Sequence, residues 1–67
     1  MKYFLVFVDE KNTSLAPLFK TTVEPQINQQ YYLNDIIYRV VNIIYKPIAE
    51  SGDMHIVLVL RDIHAAA

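Results

Sequence analysis

Apolar residues in this chain come in short runs of β-branched and aromatic side chains, each closed by turn-forming residues. Tyr3–Val8 (YFLVFV) is continuous and stops at Asp9-Glu10-Lys11-Asn12, which carries turn chemistry. Thr13–Pro17 reads as a connector fixed by Pro17. Leu18–Val23 (LFKTTV) mixes β-branched and aromatic residues with polar ones, as expected of a strand with one wet face. Glu24-Pro25 ends it, because a proline has no N–H to give a ladder and pushes the residue before it toward extended geometry. Ile27–Leu33 leads into a hairpin whose tip is Asn34-Asp35, and Ile36–Lys46 leaves it. Pro47 to Asp53 is a loop containing Gly52, and His55–Arg61 (HIVLVLR) is the last strand.

Ile36–Lys46 has a helical alternative, with Asn34 or Asp35 as its cap and Ile37, Val40, Val41 and Ile44 at helical spacing. Six of its eleven residues are Ile or Val and two are Tyr, all poor helix formers, and Ile36 and Ile43 lie off the stripe. A strand is the reading that fits. Its alternation is broken: Tyr38 and Val40 share one face, whereas Val41, Ile43 and Tyr45 share the other. Either both faces are buried or a β-bulge near Val40-Val41 re-aims the second half. Strong bending of one long strand is how small sheets close. A flat sheet would leave one face of Val41, Ile43, Val57 and Val59 exposed.

The pattern therefore predicts an all-β fold, a small five-stranded curled sheet or an SH3-like or OB-like barrel, with the central hairpin turning at Asn34-Asp35. Tyr3–Val8 or Ile56–Leu60 is expected at an exposed edge, where unpaired backbone groups with few charges to guard them invite another strand.

Composition narrows the picture. With 67 residues there is one domain, assigned to residues 1–64, at a size where a single core is only just sufficient. Ala65-Ala66-Ala67 reads as a vector-derived or disordered tail. A hydrophobic fraction of 54% with one glycine is too apolar for disorder. It also exceeds what a small monomer readily hides, pointing to self-association as a homodimer. The absence of cysteine removes disulfides, thiolate metal sites and thiol catalysis and fits a reducing, cytoplasmic setting. Six basic and seven acidic residues, net −1, alternate along the chain and create no field that would draw nucleic acid or anionic lipid. No apolar run approaches the ~18–20 residues of a membrane span. Tyr3–Val8 is shorter than a signal-peptide core and is followed by acids.

Candidate chemistry is sparse. Asp53 with His55 and Asp62 with His64 are two apart, so each pair points the same way from a strand end, and a metal-binding protein using these four is an alternative reading. Both pairs sit at strand margins where solvated polar residues are expected, and no cofactor or metal is assigned. Ser14 and Ser51 lie in loops without a glycine-flanked elbow, Asp9-Glu10 terminates a strand, and a substrate pocket is hard to enclose in so short a chain. No catalytic residue is assigned and no enzyme is expected.

The tyrosines remain. Tyr31, Tyr32, Tyr38 and Tyr45 with Arg39 and Lys46 form the candidate binding set. Aromatic residues interleaved with basic ones suit stacking on single-stranded DNA or RNA, and tyrosine is equally at home in protein interfaces. Consecutive Tyr31 and Tyr32 must face opposite ways, one inward and one outward. A chain of net −1 with scattered basic residues offers few phosphate contacts, so a protein partner or a second copy ranks ahead of nucleic acid. The run from Asn28 to Tyr45 resembles small SH3-like barrels, in which a polar turn feeds a hairpin and then a Tyr-x-Val strand, here Tyr38-Arg39-Val40. The glycine often found at the entry to such hairpins is missing, and the likeness implies no binding residue. The sequence thus predicts a small non-catalytic protein-binding or accessory module acting through exposed tyrosines and a sheet edge.

Overall fold

The computed structural model describes residues 2–64; the expected tail at 65–67 lies outside them. Five strands form one mixed sheet: β1 (Tyr3–Asp9), β2 (Ser14–Thr21), β3 (Gln30–Leu33), β4 (Ile36–Pro47) and β5 (Met54–Asp62). Their order across the sheet is β2-β1-β5-β4-β3. The sheet curls through 233° into a half-barrel, so of the expected forms the curled sheet is the one found. Among the described residues no helix is long and apolar enough to cross a membrane.

The two most continuous apolar runs are central. β1 and β5 pair in parallel from Tyr3 opposite Met54 to Asp9 opposite Leu60. The expectation that Tyr3–Val8 or Ile56–Leu60 lies at an edge is therefore corrected. Each run is flanked by a strand on either hand, β1 by β2 and β5, and β5 by β1 and β4, so neither offers a free edge. The edges are β2 and β3 instead.

The inner face holds the core: Leu5, Phe7, Tyr38, Val40, Ile56, Leu58 and Leu60 form one buried cluster. β4 reaches it by changing face. Val40 lies opposite Leu60, but Asn42 lies opposite Val59 and Ile43 opposite Leu58, so Val41 is the extra residue of a β-bulge. Before it Tyr38 and Val40 point inward; after it Ile43 and Tyr45 share the face of Leu58 and Ile56. That is the physical meaning of the broken alternation.

β2 departs from the expected boundaries. It begins at Ser14 and takes Pro17 into the strand, with register shifts against β1 on both sides of Phe7. Proline is accepted in sheets at edges and bulges, and β2 is both an edge and bulged. β3 is shorter than expected because Gln26 to Gln29 form a turn, with Gln29 N–H donating to Gln26 O at 3.2 Å.

The connections explain how a chain with one glycine turns four times. Asn12, Asn28, Asn34 and Asp35 all have positive φ, at 65°, 71°, 52° and 63°. Asn and Asp tolerate this region better than other non-glycine residues. Positive φ at both Asn34 and Asp35 is the signature of a two-residue type I′ hairpin turn, with Leu33 and Ile36 as the flanking pair. Asp9 ties the first turn by accepting the Lys11 and Thr13 amides, each at 2.9 Å. Beside that turn, Arg61 grips Glu10 with two bonds of 2.8 and 3.0 Å. That pairing lowers the Glu10 pKa and raises that of Arg61.

Candidate functional site: the open seam and its free edges

A curled sheet that does not close leaves edge groups unpaired, and three stretches have this character among the described residues. The first is β2. Its Leu15 carbonyl accepts from Asn34 Nδ2 at 2.8 Å, Pro17 has no N–H to offer, and the bulges bend the strand. The second is β4 beyond Val41, which runs past the short β3. Ile48 N–H donates to Asp53 O at 2.9 Å. Alternation along an antiparallel ladder then turns the amides of Ile43 and Tyr45 away from β5. The Ile43 amide is taken by Asn42 Oδ1 at 2.9 Å, and Pro47 lacks an amide at the next outward position. Prolines, bulges and local caps are the usual means of blunting an edge.

The third stretch, β3, has no such device. Leu33 and Ile36 close a two-residue turn and so exchange hydrogen bonds, as does the pair Tyr31–Tyr38 two residues on. The amides and carbonyls of Gln30 and Tyr32 consequently point away from β4, the one strand that pairs with β3, and no turn or loop bond reaches them among the described residues. Ile63 N–H donating to Ile37 O at 3.1 Å confirms the alternation, since Ile37 is turned toward β5. The four residues of β3, Gln30-Tyr31-Tyr32-Leu33, include no charge and no proline.

Between β2 and β3 runs an apolar groove of about 410 Å³ lined by Phe7, Ala16, Pro17, Leu18, Phe19, Tyr31 and Leu33. Its floor is an edge-to-face pair, Phe7 against Tyr31, with ring centroids 5.3 Å apart. Burial in this setting pushes the Tyr31 pKa up, because the phenolate would be poorly solvated. Phe19 and Leu18 are 54% and 58% exposed. A second, smaller hollow continues past Phe19 and Tyr31 under Val23 and Pro25.

The candidate binding residues divide between environments. Tyr38 is 8% exposed and belongs to the core. Tyr31 is half-buried and faces inward. Tyr32, 68% exposed, stands on the outer face, its hydroxyl donating to Asp35 Oδ1 at 3.2 Å. Arg39 is opposite Gln30, on the same outer face as Tyr32. Tyr45 and Lys46 lie at the far end of β4, Tyr45 on the inner face and Lys46 on the outer, roughly 20 Å along the strand from Arg39 at ~3.3 Å per residue. The six residues therefore do not make one platform. The sequence reading missed Leu18, Phe19 and Leu33 as groove residues; their signal was an apolar run interrupted by Pro17, which marks an edge strand with side chains left partly uncovered.

The His/Asp pairs stand at opposite ends of β5. Asp53 accepts the Lys2 amide at 3.1 Å, His55 packs edge-on against Phe4 at 5.5 Å, and Asp62 accepts the His64 amide at 2.8 Å. Among the described residues no three His, Cys, Asp or Glu side chains are grouped to hold a metal ion. No protein-family model, curated protein or solved structure matches this chain.

Proposed function

We propose that this protein is a non-catalytic, cytoplasmic protein-binding module that engages its partner along the β2–β3 flank of the half-barrel. One observation carries the reading. Five of the eight large apolar side chains left exposed among the described residues, Leu18, Phe19, Val23, Ile27 and Tyr32, belong to β2, β3 and the segment joining them. Apolar side chains concentrated on one flank of a soluble domain mark an interaction surface, and the tyrosine fits the composition of such surfaces. The groove's lining offers a single tyrosine hydroxyl as its only polar side-chain group, which supports binding over chemistry. The partner is a protein, a second copy included. The competing reading, stacking of single-stranded DNA or RNA, has less support, because Tyr32 and Arg39 are separated from Tyr45 and Lys46.

The test is affinity capture with the wild-type protein, a Leu18→Ser/Phe19→Ser double variant and an Ile44→Ser control on β4, outside the groove. The expected result is a protein retained by wild type and control and lost from the double variant. Equal retention by all three, or salt-sensitive binding of a labelled oligonucleotide unaffected by the double substitution, overturns the reading.

A further inference from the structure

Resting on the protein-binding reading above, we infer that the seam between β2 and β3 is a docking slot for one extended peptide strand, which pairs with the free edge of β3 and completes a six-stranded barrel.

Three observations meet at this slot. First, β3 offers two unpaired amides and two unpaired carbonyls, from Gln30 and Tyr32, enough for a short ladder with an incoming backbone. The two neighbouring edges are blunted, at β2 by Pro17 and the Asn34–Leu15 bond and at β4 by Asn42 and Pro47, which leave the Tyr45 amide as a single outward donor between them. The open edge is the one beside the groove.

Second, the arc left open fits one strand. The 233° of curl is spread over four steps between five strands, about 58° for each. About 127° remains, close to two more steps, and two steps are what a single strand needs to sit between β2 and β3. A strand seated there covers both rims of the seam, hydrogen-bonding to β3 and packing against β2.

Third, the slot selects against a second folded copy. Pairing β3 with β3 of another protomer places the partner's β4 one further step along the same curve, where β2 already stands. A lone strand has no such neighbour. The occupant is therefore an extended segment of a different chain.

Its chemistry follows from the lining. Inward side chains meet Phe7, Ala16, Phe19, Tyr31 and Leu33, so they must be apolar and uncharged; a buried charge there would have no counter-ion. Alternate residues face out beside Tyr32 and Leu18 and can be polar. The ligand class is thus an extended segment alternating apolar and polar residues without inward charge. On entry it displaces the exposed Asn34–Leu15 hydrogen bond. The segment from Thr22 to Gln29 joins the ends of β2 and β3 and is long enough to span the extra strand.

The probe is a short fluorescein-labelled peptide of alternating valine and threonine, compared with the same peptide N-methylated on alternate residues. The expected result is saturable binding by anisotropy, lost on N-methylation. Slowed hydrogen exchange at the Gln30 and Tyr32 amides and NMR shifts at Leu18, Phe19 and Leu33 should accompany it. Ala16→Trp, which fills the groove, should weaken binding about tenfold or more, and a matching thermal melt shows that the variant folds. Tyr32→Pro, which deletes one outward amide, should do the same.

Failure to bind at millimolar peptide, binding insensitive to N-methylation, or shifts confined to the outer face of β1 and β5 would each overturn the slot. So would a dimer by light scattering whose Gln30 and Tyr32 amides are already protected without peptide, since the occupant would then be a second copy. In all these cases, a captured protein that the Leu18→Ser/Phe19→Ser variant loses would leave the broader binding reading standing. Loss of both results would remove the two together.

Discussion

β5 and β2 are similar in length, yet they live differently. In β5 the inward residues Ile56, Leu58 and Leu60 are 0%, 0% and 1% exposed, because β1 and β4 flank the strand and the curl folds the sheet over it. In β2 the neighbouring Leu18 and Phe19 stay more than half exposed, since β2 has a neighbour on one side only. Residue type separates these two strands only in part, with six apolar residues of nine in β5 against four of eight in β2; position in the sheet does the rest. The difference teaches that apolar surface at the centre of this molecule maintains the fold, whereas the same chemistry at the rim is free for recognition.

The most severe way to break the contrast is to delete Val41. Without the extra residue of the bulge, either Ile43 and Tyr45 turn outward or Tyr38 and Val40 do, and the core loses a layer. Circular dichroism and amide NMR are expected to show an unfolded or molten chain; a native-like spectrum would mean that the bulge is dispensable.

Next comes a matched pair. Leu58→Ala removes a fully buried side chain and is expected to cost about 2–5 kcal/mol. A chain of this size holds only about 3–10 kcal/mol in total, so denaturant melts should shift by a large part of the whole transition. Phe19→Ala, at the rim, should cost less than about 1.5 kcal/mol in the same experiment, since roughly half of the ring is already in water. Equal losses at the two sites would erase the distinction between centre and rim.

Asp35→Gly sharpens the picture at the hairpin tip. Asp35 sits at φ 63°, where glycine has no steric penalty and Asn-Gly is the preferred type I′ pair. A gain of about 0.5–1 kcal/mol is expected, reduced if the exposed Tyr32–Asp35 bond contributes.

The smallest effect belongs to Glu10. Its pKa in the folded chain is lowered chiefly by the hydrogen bond from Arg61. A lowered carboxylate adds stability that is present above its unfolded pKa, ordinarily 4.5, and is lost as pH falls through the folded value. Glu10→Gln should therefore lower the melting temperature slightly at neutral pH and lose this difference progressively as the pH falls below 4.5. Both side chains are half in solvent, so a large shift would mark the pair as more than a surface contact.

Much of this molecule was legible before its shape was known. Ile/Val density rejects a helix over Ile36–Lys46, Asn34-Asp35 marks the tip, and the parity change from Val40 to Ile43 announces the bulge. The opposed faces of Tyr31 and Tyr32 follow from the pleat alone. What could not be read was adjacency. Periodicity gives the faces of each strand and says nothing of which strand stands beside it. The placement of β1 and β5 at the centre, and of β2 and β3 at the rim, therefore came only from the structure. The groove was hidden for the same reason, since Phe7, Phe19 and Leu33 come from three separate strands. Pro17 misled in a different way: read as a breaker, it is an edge residue.

The parallel pairing of β1 with β5 also sets the order in which the molecule can assemble. The strand at the middle of the sheet is the last of the five along the chain, so the β1–β2 and β3–β4 hairpins emerge from synthesis as two pieces with nothing between them. Neither can complete its inner layer until Met54–Asp62 is available to join them. Folding must then close a loop of 51 residues, from Tyr3 to Met54, and pairing this distant in sequence slows folding relative to local contacts. In that interval the apolar edges of both hairpins are open to any passing strand.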